Sequence, residues 1–350
     1  TQPEYSYVTG SGDRTTALFS FMDGAIVGDW NGDALDDIIY FTVNNYGAGD
    51  VSIPVVLLNT GDGWQQDTGV TADIDDSGMY VSNTSDSGYV ADLNGDGLLD
   101  YVYATNTQTN GVHNPTFAVW YNQNGSLVWD DTVSVPWVEY EVGGTTTESV
   151  PLSFTSSVLP LEVNGDGLID FLYAYNYQLN GVDYPSSWVL LNNGHGWTQD
   201  TTIEHPTYTS LDVYNTESTG YFDSSSSWSV MDVNGDQLSD LVKLSTVSAS
   251  GIHYARTSVL INTGHGWTQD DSLLTVGEYA YTDTSGTTQT GFPTTSSTAL
   301  FFDMNGDGLD DILNAEYSQS GETYYTRNWF MENTGSTANL IDTLTLPEGG

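Results

Sequence analysis

Short apolar runs alternate with polar turn sequences along the chain, and this pattern predicts β-strands. One unit reads DFLYAY from Asp170, a turn NGVDYP from Asn180, and SSWVLL from Ser186. These are two aromatic and β-branched runs joined by turn residues. GWTQDTTI from Gly196 and STALFF from Ser297 predict further strands after and before such a pair. Because no stretch shows a helical hydrophobic period, we predict an all-β chain.

Two markers repeat five times. The first is an acidic nine-residue loop, with steps of 63, 70, 70 and 71 residues: DWNGDALDD from Asp29, DLNGDGLLD from Asp92, EVNGDGLID from Glu162, DVNGDQLSD from Asp232 and DMNGDGLDD from Asp303. The second is a turn whose first Asn follows the last Asp of its loop by 22 residues in every repeat: Asn59, Asn122, Asn192, Asn262 and Asn333. A fixed period indicates a repeat architecture. Each repeat is interpreted as a four-stranded antiparallel unit, one blade of a β-propeller.

The whole chain is predicted to be a single five-bladed β-propeller. The blades are expected at about 15–78, 79–148, 149–218, 219–288 and 289–350, with residues 1–14 closing the last blade. If the two ends of the chain are joined, 46 residues separate the last turn from the first acidic loop, close to the gaps between the other turns and the loops that follow them. In addition, EYSY from Glu4 resembles EYAY from Glu278. PEYSYV (3–8) is therefore predicted to pair beside the fifth blade, near LIDTLTL (340–346). An open piece of a longer array is the alternative, but it would leave sheet edges exposed.

The loop pattern is typical of calcium ligands. Positions 1, 3, 5 and 9 supply side-chain oxygens, position 7 can add a carbonyl, and glycines at positions 4 and 6 permit a tight turn. Oxygen-only coordination with several carboxylates suits Ca²⁺ better than Mg²⁺ or Zn²⁺. About five Ca²⁺ ions are predicted, with these ligands: Asp29, Asn31, Asp33, Leu35, Asp37, Asp92, Asn94, Asp96, Leu98, Asp100, Glu162, Asn164, Asp166, Leu168, Asp170, Asp232, Asn234, Asp236, Leu238, Asp240, Asp303, Asn305, Asp307, Leu309 and Asp311.

A solvated Asn-Gly turn is the alternative for any single loop. Five copies with carboxylates at positions 1, 5 and 9 argue against it, because like charges this close repel and a divalent ion removes that cost. Three loops depart from the common pattern. Glu162 replaces Asp at position 1, which is expected to loosen the third site, and Ala34 and Gln237 replace the position 6 glycine, where strain is expected.

Through these five D-x-N-G-D-x-x-x-D loops the chain resembles the FG-GAP/VCBS repeats of integrin α-chain-like β-propellers. The resemblance covers nearly the whole chain and implies calcium-binding propeller blades. Such repeats also occur in lectins and in bacterial surface proteins. Integrin-type propellers usually have seven blades with shorter repeats, so only the calcium ligands are carried over.

Composition narrows the choice of partners. The chain has 350 residues, with 47 acids against four bases, Arg14, Lys243, Arg256 and Arg327, and a formal charge of −43. This charge argues against nucleic acid and anionic membranes and favours cations. There is no cysteine, and no apolar run approaches the ~20 residues that span a bilayer. Calcium sites of this kind are occupied where calcium is abundant, so the chain is expected outside the cell or on its surface, secreted with a signal peptide already removed.

Other candidate residues have simpler explanations. His195 and His265 occupy a turn position that Asp62 fills in the first repeat, so they are interpreted as variable turn residues. Trp64, Trp197 and Trp267 recur at one position and are interpreted as blade packing. Asn83 and Asn124 head glycosylation sequons. No catalytic or cofactor motif is present, so the chain is not expected to be an enzyme.

Two functions remain close. The first is a calcium-stabilised recognition or adhesion module that binds a glycan, as a lectin does, or an extracellular protein. The second is a structural subunit of a surface layer or filament, in which copies of the chain join through terminal strands. The excess of Tyr and Trp favours the first, and a secreted enzyme is the weakest alternative.

Overall fold

The structure is a computed structural model, and its regular elements are β-strands. It describes residues 4–8, 14–18, 26–33, 35, 37–45, 50–67, 88–123, 125–142, 146–154, 158–212, 214–224, 228–249, 252–274, 279–282, 287–291, 299–302, 309–320, 323–334 and 339–341. None of these residues lies in a helix, as predicted. Across these ranges we find no helical segment with the length and apolar character needed to cross a bilayer.

Twenty of the described strands form five antiparallel four-stranded sheets in a propeller-like arrangement. In each sheet, neighbouring strands follow one another along the chain. The first sheet contains β3 (Ile26–Gly28), β4 (Asp37–Asn45), β5 (Asp50–Asn59) and β6 (Trp64–Asp67). The second contains β7 (Gly88–Ala91), β8 (Asp100–Thr109), β9 (Val112–Asn122) and β10 (Leu127–Asp130). This architecture confirms the prediction of an all-β chain built from four-stranded units.

The last three sheets repeat the same order. The third contains β13 (Leu159–Leu161), β14 (Asp170–Leu179), β15 (Val182–Asn192) and β16 (Trp197–Asp200). The fourth contains β19 (Ser229–Met231), β20 (Asp240–Ala249), β21 (Ile252–Asn262) and β22 (Trp267–Gln269). The fifth contains β25 (Ala299–Phe302), β26 (Asp311–Ser320), β27 (Thr323–Glu332) and β28 (Asn339–Ile341).

Tight Asn-Gly turns set the register of the two long central strands. Asn110 and Asn180 have φ of 52°, and the glycines that follow them have φ of 81° and 79°. Consecutive residues with positive φ are the requirement of a two-residue hairpin turn, which Asn-Gly meets at low cost. The turn pairs Leu179 with Val182, so the register of the third sheet is fixed from its tip.

Hydrophobic clusters join each sheet to the next. One cluster combines Val102 and Val119 of the second sheet with Phe171 and Leu190 of the third. Equivalent clusters join the first sheet to the second, the third to the fourth, and the fourth to the fifth. Burying apolar area between facing sheets is the main stabilising contribution in this fold.

The structure also contains a feature that the sequence pattern did not reveal, a set of two-stranded hairpins. They are β1 (Glu4–Val8) with β2 (Arg14–Leu18), β11 (Trp137–Val142) with β12 (Thr146–Pro151), β17 (Thr207–Leu211) with β18 (Glu217–Tyr221), and β23 (Tyr279–Thr282) with β24 (Thr288–Gly291). Each hairpin contacts the four-stranded sheet that follows it along the chain.

A glutamine in the fourth strand of a sheet holds its hairpin in place. The backbone N–H of Glu139 donates to Oε1 of Gln199 at 2.8 Å, and Nε2 of Gln199 donates to the Glu139 carbonyl at 2.8 Å. Gln269 makes the same two bonds to Thr209, at 2.6 and 3.1 Å. Both pairs are 60 residues apart, so the same contact fastens each hairpin to the sheet that follows it.

This grouping corrects the expected place of the N-terminal strand. The pairing of 3–8 with the fifth sheet is wrong for the described residues: β1 pairs with β2, from Glu4 opposite Leu18 to Val8 opposite Arg14, and contacts β5 and β6. The likeness between EYSY and EYAY is real, but β1 corresponds to β23, the hairpin strand of the fifth repeat. A hairpin closes a short loop, which costs less entropy than pairing with the distant C-terminal end. Residues 342–346 lie outside the described residues, and the blade boundaries stay a prediction.

Replacing Gln199 by Ala is expected to loosen the hairpin while the sheet persists. Two partly exposed hydrogen bonds are lost, a contribution of about 1 kcal/mol after solvent competition. The amide of Glu139 should then exchange with solvent roughly fivefold faster by mass spectrometry or NMR. Thr198→Ala, an exposed neighbour on the same strand, is the matched control, and equal exchange in both variants would contradict the role given to Gln199.

Candidate metal centre

The acidic loops join the first and second strands of the four-stranded sheets. Position 2 carries a core side chain in the described loops, namely Trp30, Leu93, Val163 and Val233. Position 9 is the first residue of the second strand, which is the case for Asp37, Asp100, Asp170, Asp240 and Asp311. The polar positions 3 and 5 lie between these two anchors, and position 1 directly precedes the first anchor. Each loop is therefore fixed at both ends by the sheet it belongs to.

The aspartate at position 9 holds two strands together through its carboxylate. In the third sheet, the backbone N–H of Val163 donates to Oδ2 of Asp170 at 3.0 Å, and the N–H of Asn192 donates to Oδ1 at 2.7 Å. The bond from the Asn N–H to Oδ1 recurs in all five sheets, at 2.7–2.8 Å. This bond joins the two residues whose spacing is constant, and the strand lengths and the two-residue turn between them set that spacing.

Burial and neighbouring carboxylates alter the acidity of position 9. The five aspartates are 0% exposed. Desolvation by burial, and then the charges at positions 5 and 1, raise the pKa of Asp100, Asp170 and Asp240 to about 7, against the two backbone bonds that lower it. The pKa of Asp37 is raised for the same reasons. The three carboxylates of each of these loops therefore lie close enough to repel one another.

Positions 1, 3 and 5 form a chain of hydrogen bonds around the turn. In the second loop, the N–H of Gly95 donates to Oδ1 of Asp92 at 2.7 Å, and the N–H of Gly97 donates to Oδ2 at 2.7 Å. Nδ2 of Asn94 donates to Oδ2 of Asp96 at 3.1 Å. The N–H of Leu98 donates to Oδ1 of Asp96 at 2.9 Å. A carboxylate has about four lone-pair sites. Asp92 accepts four backbone N–H groups in all, whereas Asp96 accepts two bonds, so the capacity left for a cation lies mainly at Asp96.

The departures from the common loop have different consequences. Glu162 accepts the same backbone bonds as an aspartate, from Gly165 at 2.7 Å and Gly167 at 2.6 Å, so its longer side chain fits the turn. Gln237 has φ of 70° where Gly97 and Gly167 have 86° and 82°. A residue with a Cβ is disfavoured at such φ, so strain in the fourth loop is present as expected. Ala34 lies outside the described residues.

The second marker connects neighbouring sheets. Nδ2 of Asn192 donates to the carbonyl of Leu93 in the loop of the preceding sheet, at 2.8 Å. The same contact runs from Asn122 to Trp30, from Asn262 to Val163 and from Asn333 to Val233, at 2.8, 3.0 and 2.9 Å. Consecutive acidic loops are therefore tied to each other through a buried amide.

The donor set fits a hard cation, while the side chains are not gathered around one point. Positions 1, 3, 5 and 9 offer only oxygen ligands, which is the chemistry of Ca²⁺. Among the described residues, however, no group of three or more His, Asp or Glu side chains is placed to hold a metal together. The carboxylates instead accept bonds from their own loop. Asp303, Asn305 and Asp307 lie outside the described residues, and calcium stays a prediction.

The other sequence candidates occupy packing or turn positions. Trp197 contacts the rings of Phe117 and Phe171, at centroid distances of 6.2 and 5.2 Å, and Trp267 packs on the cluster between the third and fourth sheets. Trp64 is exposed instead. His195 is an exposed turn residue whose N–H donates to Oδ1 of Asn193 at 3.0 Å.

Asn192→Ala is expected to lower the free energy of unfolding by about 2 kcal/mol. The buried carbonyl of Leu93 loses its donor, and the N–H of Gly194 loses its acceptor at Oδ1. Urea denaturation measures the change. Asn193→Ala, an exposed neighbour, is the matched control and should cost less than ~0.5 kcal/mol. Equal losses in the two variants would show that the contact between loops does not contribute.

No protein-family model matches this chain, and no curated protein sequence matches it.

Proposed function

We propose that the chain is a calcium-stabilised extracellular recognition propeller of five blades. The five four-stranded sheets are its blades, and each acidic loop holds one Ca²⁺ ion through positions 1, 3, 5, 7 and 9. The observation that carries this proposal is the recurring loop geometry, in which oxygen-bearing side chains at positions 1, 3 and 5 wrap around the turn that ends at the buried carboxylate of position 9. A divalent ion relieves the repulsion between carboxylates held in one loop, and the resemblance to FG-GAP/VCBS repeats supports the same conclusion.

The ring closes by contact between the first and fifth blades. Closure leaves no face of a terminal sheet exposed, and it continues the stacking seen in the four inter-sheet clusters.

Exposed aromatic residues support recognition as the function. Trp129, Trp137 and Tyr175 are 48%, 47% and 43% exposed, and Tyr214 is 80% exposed. Aromatic faces on a polar surface suit sugar rings and protein partners, since they combine apolar area with a polar edge. We therefore place glycans first among the ligand classes and extracellular proteins second, with no enzymatic activity.

A glycan array probed in millimolar calcium and again in chelator tests this function. We expect binding to a subset of glycans by a monomeric protein, with the signal lost in chelator. Light scattering and electron microscopy of the same sample report assembly. Calcium-dependent polymers without glycan or protein binding would instead support the alternative, a structural subunit of a surface layer or filament.

A further inference from the structure

The fourth repeat contains a polar cavity that neither the acidic loops nor the Asn turns of the sequence indicated. It has a volume of about 270 Å³ and lies between hairpin strand β17 and the strands β20 and β21. Tyr208, Lys243 and Arg256 line it, together with several Ser and Thr hydroxyls. Its size is at the lower end of small-molecule sites.

Two of the four basic residues of the chain meet in this cavity. The sequence has 47 acids and four bases, so a pair of cations in one cavity contrasts sharply with the rest of the molecule. Lys243 lies on β20 and Arg256 on β21, two positions apart in register, and Ser245 is directly opposite Arg256. With Asp212 and Asp271 also in the lining, the formal charge of the cavity is zero, so an anion meets less repulsion here than elsewhere on this strongly acidic chain.

Lys243 is held by aromatic rings. Its Nζ lies 6.0 Å from the ring centroid of Tyr208 and 5.7 Å from that of Trp228. Both distances are within the range of cation–π attraction. Burial lowers the pKa of Lys243, and Asp223 opposes that change. A partly desolvated ammonium gains more from a bound carboxylate than an exposed one does.

The turn of the β17–β18 hairpin fixes Arg256. Its Nη2 donates to the carbonyl of Asp212 at 3.1 Å and to Oδ1 of Asn215 at 2.9 Å. Its Nε is buried without a hydrogen-bond partner among the described residues. Tyr214, between these two contacts in sequence, is 80% exposed and offers a free aromatic face. The guanidinium is therefore positioned before any ligand arrives.

Comparison with the third repeat shows what distinguishes the lining of this cavity. There, Tyr173 is opposite Trp188, and the two rings stack at 5.3 Å with an interplanar angle of 17°. In the fourth repeat the same two places are taken by Lys243 opposite Ser258. The aromatic rings are moved rather than lost, because Tyr208 and Trp228 occupy the places of Val138 and Val158 in the third repeat, and the ammonium lies against these two rings. The fold does not require a cation at this position, since the equivalent position of the third sheet holds a tyrosine.

The lining fits a ligand with one negative charge and several hydroxyls. Two acidic residues also line the cavity, but Oδ1 and Oδ2 of Asp271 accept bonds from the Val259 N–H and Gln269 Nε2, at 2.9 and 2.8 Å. Oδ1 of Asp212 accepts two backbone N–H groups of its own turn. The formal charges of the lining balance, so a dianion such as a phosphate would be less well neutralised than a single carboxylate.

We propose that this cavity binds a carboxylate-bearing sugar, such as a uronic acid unit of an acidic glycan. Lys243 and Arg256 bind the carboxylate, and the Ser and Thr hydroxyls bind the sugar hydroxyls. The inference rests on the proposed recognition function and names its site.

Isothermal titration calorimetry with trigalacturonic acid tests this site, with calcium held equal in cell and syringe. The neutral trisaccharide of galactose is the matched ligand. We expect the acidic ligand to bind at least about tenfold more tightly, because only it can pair with the ammonium. Lys243→Gln should remove that preference, and Lys243→Tyr should do the same, because it replaces the ammonium with the side chain found at the equivalent position, Tyr173. Thr246→Ala, an exposed position on the same strand, should bind as the parent chain does.

Each outcome has a distinct meaning. Equal affinity for the acidic and neutral ligands would overturn the carboxylate assignment, and unchanged binding by Lys243→Gln would overturn the site. No binding of either trisaccharide, alongside other glycans captured on the array, would overturn this inference while the recognition function stands. Loss of all array signals with polymer formation would overturn the recognition function itself. Thermal melting of each variant confirms that it is folded.

Discussion

Replacing Asp170 by Ala is expected to lower the free energy of unfolding by about 4 kcal/mol, whether or not calcium is present. The carboxylate accepts bonds from the backbone N–H groups of Val163 and Asn192. Both donors are shielded from water, and an unsatisfied buried donor costs about 1–3 kcal/mol. The substitution also leaves a cavity where the side chain was fully buried. Urea denaturation in chelator measures this structural effect alone.

Asp166→Ala in the same loop is the matched control. Asp166 is exposed, and its contacts are with Asn164 and with the N–H of Leu168. In chelator we expect a loss below ~1 kcal/mol, because water replaces both contacts. If Asp166→Ala and Asp170→Ala destabilised the chelated protein equally, position 9 would not be the structural anchor.

The aspartate at position 9 shows which features of the site could be predicted from the sequence and which could not. The constant spacing of 22 residues indicated that the loop and the turn are coupled, and the bond between Asp170 and Asn192 joins them. The second role of this aspartate, as a buried acceptor for two strands, could not be foreseen. Sequence spacing shows which residues are coupled, but it does not distinguish coupling through a cation from coupling through backbone amides.

The hairpins were missed because they carry no strong periodic signal. The strand TYTSL of β17 and the strand ESTGY of β18 are rich in polar residues and are mostly exposed. Such strands are stabilised by pairing and by the glutamine contact rather than by a buried apolar face. The N-terminal strand was assigned to the wrong repeat for the same reason, since its partner β2 shows no hydrophobic alternation that would mark it.

The cavity of the fourth repeat illustrates a different limit. Lys243 and Arg256 are visible in the sequence as rare bases, and their spacing in two adjacent strands could have been noted once the hairpin turn was placed. What the sequence does not provide is the comparison with the stacked rings of Tyr173 and Trp188. That contrast depends on strand register, which a pattern of residues alone leaves open.

Removal of calcium is expected to have the largest effect of all. If each ion binds with a Kd of about 0.2 mM, in the range of extracellular modules, 2 mM calcium stabilises the native state by about 1.4 kcal/mol per site. Five sites then contribute about 7 kcal/mol, comparable to the whole stability of many domains. Differential scanning calorimetry in 2 mM calcium and in excess chelator should show a large fall in Tm. Equal melting in both conditions would contradict the calcium proposal.

Two variants of the third loop separate the contribution of the ion from that of the protein. Asp166→Ala removes a carboxylate that does little for the chelated fold, so its cost should appear only in calcium, as the loss of about one site's contribution. Asp170→Ala should be costly in both conditions. Because the third loop receives the Asn262 side chain of the next sheet, at Val163, a weakened ion site should also loosen that contact. Exchange of the Asn262 side-chain amide protons with solvent, followed by NMR in calcium, should therefore be faster in Asp166→Ala than in the parent chain. Unchanged exchange there would confine calcium to a local role within its own loop.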